Sequence, residues 1–212
     1  MLYTVGVIRK TLAAVGLATL VVAHISPASS GEQLSASGSK PSAPEGPFAE
    51  NFTFSDPPVP APSAGFQALH GGPATLADFR GQVVLVNFWA TWCAPCVAEM
   101  PALERLHQAL AGEGFTVLAI SQDRGGSAVV APFLERLDLQ QLPIYLDSKA
   151  VLARAFALKG LPTSFLIDRD GRVLAGLVGP AEWDSREAID FIRYYLGGEG
   201  DGGDSGITDT SG

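Results

Sequence analysis

Residues 83–90 read VVLVNFWA and residues 115–121 read FTVLAIS. Apolar runs with no polar face belong to strands covered on both sides by other layers. Between them Met100, Leu103, Leu106 or His107, and Leu110 recur at helical spacing, and Gly112 and Gly114 mark the stop. Beyond the second run, Ser127 is placed to cap a helix in which Val130, Phe133, Leu134 and Leu137 share a face. Pro132 lies inside that pattern and predicts a late start. IYLD then reads as a short strand, VLARAFAL as a short helix, and TSFLIDRDGRVLAGLVG as a hairpin turning at Asp170-Gly171. Ile189, Ile192 and Leu196 mark a closing helix. Ahead of the first run, FQALH, Gly71-Gly72 and PATLADFRGQ predict a short strand, a turn and a return. Helices alternating with strands, closed by a hairpin and a helix, predict an α/β fold with a mixed central β-sheet flanked by helices and an N-terminal β-hairpin extension.

Composition divides the chain of 212 residues into four parts. Residues 65–196 alone mix apolar runs with turn signals, and about 130 residues suffice for a single core without covalent staples. Residues 1–30 carry Arg9 and Lys10 ahead of TLAAVGLATLVVAHI and SPASSG. This is the form of an export signal peptide or an uncleaved N-terminal membrane anchor. The SPA site is a poor match to Ala-x-Ala, and no cysteine there allows a lipid anchor. Residues 31–64, rich in Ser, Pro, Ala and Gly, read as a linker on which Phe48, Phe52 and Phe54 are the candidates for docking onto the domain. Residues 197–212 form a Gly/Asp-rich tail expected to be disordered. The net charge of −8 argues against a nucleic-acid partner. Export places the domain on the periplasmic side of a bacterial inner membrane, tethered or soluble, where dithiols are redox-active.

FWATWCAPC holds the only two cysteines, Cys93 and Cys96. Such a pair serves as a bridge, as metal ligands, or in electron exchange. Placed where a buried strand gives way to a helix, the Cys93 sulfur meets unpaired N–H groups at the positive end of the helix dipole, which favours thiolate and makes it the attacking sulfur. Cys96, one turn further in, is then the resolving thiol. Pro95 suits the first turn because no N–H is needed there. Trp92 reads either as core filling or as an apolar cover and contact surface for a partner chain.

VVLVNFWATWCAPC, followed by a helix and later by Gly160-Leu161-Pro162-Thr163, resembles the thioredoxin superfamily in its membrane-anchored TlpA/ResA-like branch. The likeness covers about residues 65–196, with ADFRGQ and LIDRDG in keeping. The resemblance implies a thioredoxin-like fold and an exported thiol-disulfide oxidoreductase. It further implies a reductant of client protein disulfides, serving cytochrome c maturation (apocytochrome c) or copper-site assembly. The implied electron donor is a membrane thiol transporter, and no cofactor is needed. Pro162 would be a cis proline beside the dithiol, with the Leu161 backbone pairing with the substrate chain. Pro143 lacks the following Thr and reads as a strand-edge proline. Asn87 stands where ordinary thioredoxins place a buried acid, so that proton route is missing. Glu99 stands where ResA-like proteins carry a glutamate near the dithiol, either exchanging protons with the resolving thiol or lying exposed without consequence. Pro101 matches a kink of the family's long helix.

The alternative is a thioredoxin-like metal (copper) binding or assembly protein with Cys93 and Cys96 as ligands. A third ligand is hard to find, because His24 lies in the export segment, His70 in the leading hairpin and His107 far down the first helix. Peroxide reduction is disfavoured by Ala90, three residues before Cys93, where peroxiredoxins place Ser or Thr. A structural dithiol in a non-enzymatic binding or chaperone module is disfavoured by the helix-start position and the Leu-Pro-Thr loop. Ala94-Pro95 places no histidine between the cysteines, which points to a reductant near about −270 mV rather than an oxidant near about −120 mV.

Overall fold

The computed structural model describes residues 46–197. The expectations for residues 1–30, 31–45 and 198–212 lie outside them. An eight-stranded mixed sheet runs in the order β1 (Thr53–Pro60), β8 (Arg172–Val178), β7 (Thr163–Ile167), β4 (Val83–Trp89), β5 (Phe115–Ser121), β6 (Ile144–Leu146), β2 (Phe66–Ala68) and β3 (Pro73–Ala74). At its centre are β4 (Val83–Trp89) and β5 (Phe115–Ser121), parallel neighbours with every residue buried. The apolar runs thus mark strands covered by helices on both faces. β7 (Thr163–Ile167) pairs antiparallel with β4 and with β8 (Arg172–Val178), closing the predicted hairpin. The Asp168 carboxylate accepts from the N–H groups of Asp170 and Arg172 (2.9 and 2.8 Å), and Gly171 takes the positive φ that the turn requires. β6 (Ile144–Leu146) continues the sheet beyond β5.

The leading hairpin is present as β2 (Phe66–Ala68) and β3 (Pro73–Ala74), with β2 attached to β6. Its return is shorter than expected. Thr75 and Asp78 form a reciprocal capping box that turns Leu76–Phe79 into a 3-10 helix instead of a strand.

One helix, α2 (Ser127–Leu137), departs from expectation at its start. α1 (Ala94–Ala109) buries Met100, Leu103 and Leu106 completely, with Pro101 in its interior. α2 (Ser127–Leu137) starts at Ser127 although Pro132 is internal, and Gly126, not Ser127, is its N-cap. Gly126 adopts φ 57°, a geometry that favours glycine, and burial of Val130 and Leu134 offsets the hydrogen bond that Pro132 forfeits. α3 (Val151–Ala155) is held at its start by Asp147, whose carboxylate accepts from the N–H groups of Val151 and Ala153 (2.7 and 2.8 Å). α4 (Arg186–Leu196) begins at Ser185, which caps Ala188 N–H, and ends at left-handed Gly197.

The linker reading of residues 31–64 needs correction over its second half. Residues Thr53–Pro60 form β1, an edge strand paired antiparallel with β8 and interrupted between Phe54 and Val59. Proline at 57, 58 and 60 is compatible with an edge because no second ladder is needed there. The Asp56-Pro57 peptide is cis. Aromatic packing offsets the cost of ordering this segment. Phe52 stacks on Phe191 at 4.6 Å, and Phe48 meets Trp183 and Phe191 edge-on at 5.8 and 5.5 Å. The three phenylalanines expected to dock, Phe48, Phe52 and Phe54, do so on one target, Phe191. Phe52 is 7 % exposed, so Phe52→Ala is expected to cost about 3–5 kcal/mol. Urea unfolding checks this, and a loss below about 1 kcal/mol would mean that the segment is not part of the core.

Candidate active site

β4 delivers the chain through Trp89 and Ala90 into the turn that ends at Cys93, the N-cap of α1. Zippering to the β5 end fixes that turn. Gln122 N–H donates to Trp89 O at 2.8 Å, and the buried Asp123 carboxylate accepts from Thr91 N–H and from the Thr91 and Ser121 hydroxyls (2.9, 2.7 and 2.8 Å). Cys93 and Cys96 are joined in a disulfide across the first helical turn. Cys93 retains 6 % exposure and Cys96 none. Trp92 stands 70 % exposed beside them, so it is not core filling.

The Leu161-Pro162 peptide is cis, as the resemblance implied. Pro162 leads directly into Thr163, which lies opposite Phe88 in the β4–β7 ladder, at the sheet end from which β4 runs to the dithiol. Thr163 donates its hydroxyl to Gly160 O at 2.8 Å, and Gly179 N–H donates to Pro162 O at 2.9 Å. Leu161 is half-buried beside Pro162. Leu142-Pro143 is not among the cis peptides.

Glu99 is 5 % exposed, one turn along α1 from Cys96, and the exposed alternative is excluded. Its Oε1 accepts from Asn87 Nδ2 at 2.8 Å. Its Oε2 accepts from Ala181 N–H at 3.1 Å and from the Trp183 indole N–H at 3.0 Å. Burial pushes the carboxyl above the ordinary glutamate value, and the bonds from Asn87, Ala181 and Trp183 oppose that rise. Asn87 also donates to Ser164 Oγ at 3.0 Å, while its Oδ1 has no partner. A cavity of about 750 Å³ reaches Glu99 and Pro95 from outside, walled by Phe48, Asn51 and Val178.

Comparison with known proteins identifies this arrangement. The model of the AhpC/TSA family matches residues 58–175, more than half of the chain. The chain is 36% identical over 119 residues to thiol-disulfide oxidoreductase ResA of Bacillus thuringiensis, covering 56% of this chain and 68% of that protein. ResA of Geobacillus thermodenitrificans is 36% identical over 134 residues, with 63% and 76% covered. Among solved structures, a thiol:disulfide interchange protein of the thioredoxin family from Chlorobium tepidum superposes with TM-score 0.56 at 31% identity, covering 66% of this chain and 97% of its own. A secreted thiol-disulfide isomerase from Corynebacterium glutamicum gives TM-score 0.58 at 26% identity, with 72% and 94% covered. The chain belongs to the AhpC/TSA family. Within it, the protein is a thioredoxin-like thiol-disulfide oxidoreductase of ResA type with a Cys-X-X-Cys pair.

Several parts of this ResA-type site had no local signal in the sequence. Ser164, Ala181 and Trp183 lie 65 to 84 residues from Glu99 or further still from Asn87 along the chain, and only the sheet and the loop before α4 bring them together. Asp123, the clamp on Thr91, was equally silent. The two described histidines, His70 and His107, form no metal-holding group with the dithiol. His70 is exposed, His107 is half-buried with its Nδ1 accepting from Val117 N–H at 3.4 Å, and burial lowers its pKa. His24 lies outside the described residues, among which no group of three or more His, Cys, Asp or Glu is placed to hold a metal.

Proposed function

We propose that this oxidoreductase reduces disulfides in exported client proteins. The observation that carries the reading is a helix-start disulfide whose reachable half is Cys93 and whose sealed half is Cys96, backed by a buried carboxylate. In the reduced protein the Cys93 thiolate attacks one client sulfur, and the other client sulfur leaves and takes up a proton. The Cys96 thiol passes its proton to Glu99 and attacks Cys93, re-forming the enzyme disulfide. The client sulfur that Cys93 had attacked is released as thiolate when the Cys93–client bond breaks, so two electrons have moved from enzyme to client. Trp92 supplies apolar contact to the client, and Leu161-Pro162 supplies backbone pairing. The clients suggested by the resemblance are apocytochrome c or a copper-site protein. Electrons return from a membrane thiol transporter, and residues 1–30 carry the domain to the periplasmic face. Among the described residues no helix is long and apolar enough to cross a membrane.

Capture of a client tests the reading. Cys96→Ala, expressed in the full chain, is expected to accumulate a covalent, dithiothreitol-sensitive adduct through Cys93, identifiable by mass spectrometry. Recovery of none would remove the mechanism. Direction is tested separately by equilibration with glutathione. A potential near about −270 mV supports a reductant, and one above about −180 mV makes the protein an isomerase or oxidant.

A further inference from the structure

Trp183 and Phe48 are unusual company for a carboxylate. Trp183 has no solvent exposure, yet it spends its single polar group, the indole N–H, on Glu99 Oε2 at 3.0 Å. The rest of the ring is gripped by Phe48 and Phe52, both edge-on at 5.8 and 6.3 Å. These phenylalanines belong to the short segment that precedes β1, closed by a 3-10 turn at Ala49–Asn51. Phe48 and Asn51 also wall the cavity whose floor includes Glu99 and Pro95. The segment upstream of the sheet is therefore both the outer wall beside the buried carboxylate and the packing that fixes its hydrogen-bond donor.

We propose that Trp183 is a positioning residue for the proton acceptor Glu99 and that Phe48, on the cavity wall, limits the approach of water to it, so that the segment leading into the domain is a working part of the oxidoreductase. This rests on the reading that Glu99 takes the Cys96 proton. The two aromatic residues act in opposite senses. The indole N–H bonds the ionised carboxylate and favours it, whereas the phenylalanine wall limits water and disfavours it. The other groups facing Glu99 are the neutral Asn87 directly and Ser164 through it. The charged side chains nearby, Glu182, Asp184 and Glu187 on the cavity, Arg105 bonded to Asp184, and Glu50 on the 3-10 turn, are all exposed and unchanged in the variants below.

The readout is the resolution step in the full reduced protein, followed as the second equivalent of thionitrobenzoate released from the aromatic disulfide dithiobis(nitrobenzoate). Its rate rises with pH as Glu99 ionises and then levels. Trp183→Phe keeps the ring and loses the N–H, so the rise is expected to move to higher pH, with a loss of about tenfold on its slope. Phe48→Ala is expected to move it to lower pH. Glu99→Gln is expected to abolish it. In the unaltered protein the Trp183 indole N–H resonance is expected to titrate with the same midpoint, and to stop titrating in Glu99→Gln. This measurement decides the matter even if Trp183→Phe does not fold. A rise that Glu99→Gln abolishes but neither aromatic variant moves overturns the proposal and leaves Glu99 as acceptor. A rise that survives Glu99→Gln overturns both. Shifts of both aromatic variants in the same direction reduce the clamp to general packing and also overturn it.

Discussion

Cys93→Ala is expected to lower disulfide reduction by at least about a thousandfold, to the rate of the uncatalysed exchange. The cause is geometric before it is electronic. Cys96 has no solvent exposure, sits beneath the first turn of α1, and cannot meet a sulfur on another protein chain without opening the helix. Cys93 alone borders the surface, beside the exposed Trp92. Its place at the N-cap adds the electronic part, because a helix start carries about half a positive charge in unpaired N–H groups. In the reduced protein that charge is expected to favour thiolate over thiol. Cys96→Ala should leave this first attack intact, so alkylation of reduced Cys93 by iodoacetamide should proceed at an unchanged rate while turnover stops. Turnover in Cys93→Ala above about a tenth of the normal rate would reverse the two assignments.

The parts of this site that could be read in advance are those that one stretch of chain encodes by itself. VVLVNFWA announced a covered strand because it is apolar on both faces apart from Asn87, and all seven residues of β4 are buried. WCAPC announced a dithiol at a helix start because strand, turn and helix follow within a few residues. Residues 46–60 are legible only in part, for the opposite reason: Phe48, Phe52 and Phe54 stand out as docking candidates and do pack on the domain, whereas the edge strand Thr53–Pro60 has no signal. Their prolines and small residues look like linker on average, but Phe48 and Phe52 are defined by Trp183 and Phe191, more than a hundred positions later. Asn87 was legible only as a missing acid. Its role as the donor that seats Glu99 appears when β4 and α1 are packed together. The protonatable group thus lies on α1 instead of β4, with the asparagine left behind as its support. Local signals place backbone and dithiol. The surroundings of Glu99 depend on contacts between elements, to which no single stretch of sequence is sensitive.

Glu99→Gln is expected to slow resolution of the mixed disulfide by about a hundredfold to ten-thousandfold, the range over which a positioned acid or base acts. The first attack by Cys93 should be unaffected, so the mixed disulfide should accumulate, and quenching with acid followed by mass spectrometry would count it. The variant should fold. A glutamine can still accept from Ala181 N–H and the Trp183 indole, and the unpartnered Asn87 Oδ1 is available to receive the new amide if Asn87 turns over. Stability gives an independent check whose sign is fixed. Burial raises the folded pKa of Glu99 above its unfolded value, so the folded state holds the proton over a range of pH in which the unfolded state has lost it. The native protein should therefore be favoured by Glu99 below about pH 4, the ordinary glutamate region, and lose that contribution as pH rises from there to the raised folded value. Above the folded value the penalty is constant. Glu99→Gln should flatten this one component, which is read as the difference between urea stabilities of the two oxidised proteins across that range. Taking the difference cancels Glu113, whose pKa is lowered by the hydrogen bond from Arg193 and whose contribution has the opposite sign. A difference that does not change with pH would mean that Glu99 ionises in the fold as it does in water, and a carboxylate of that kind has no raised affinity with which to draw the proton from Cys96.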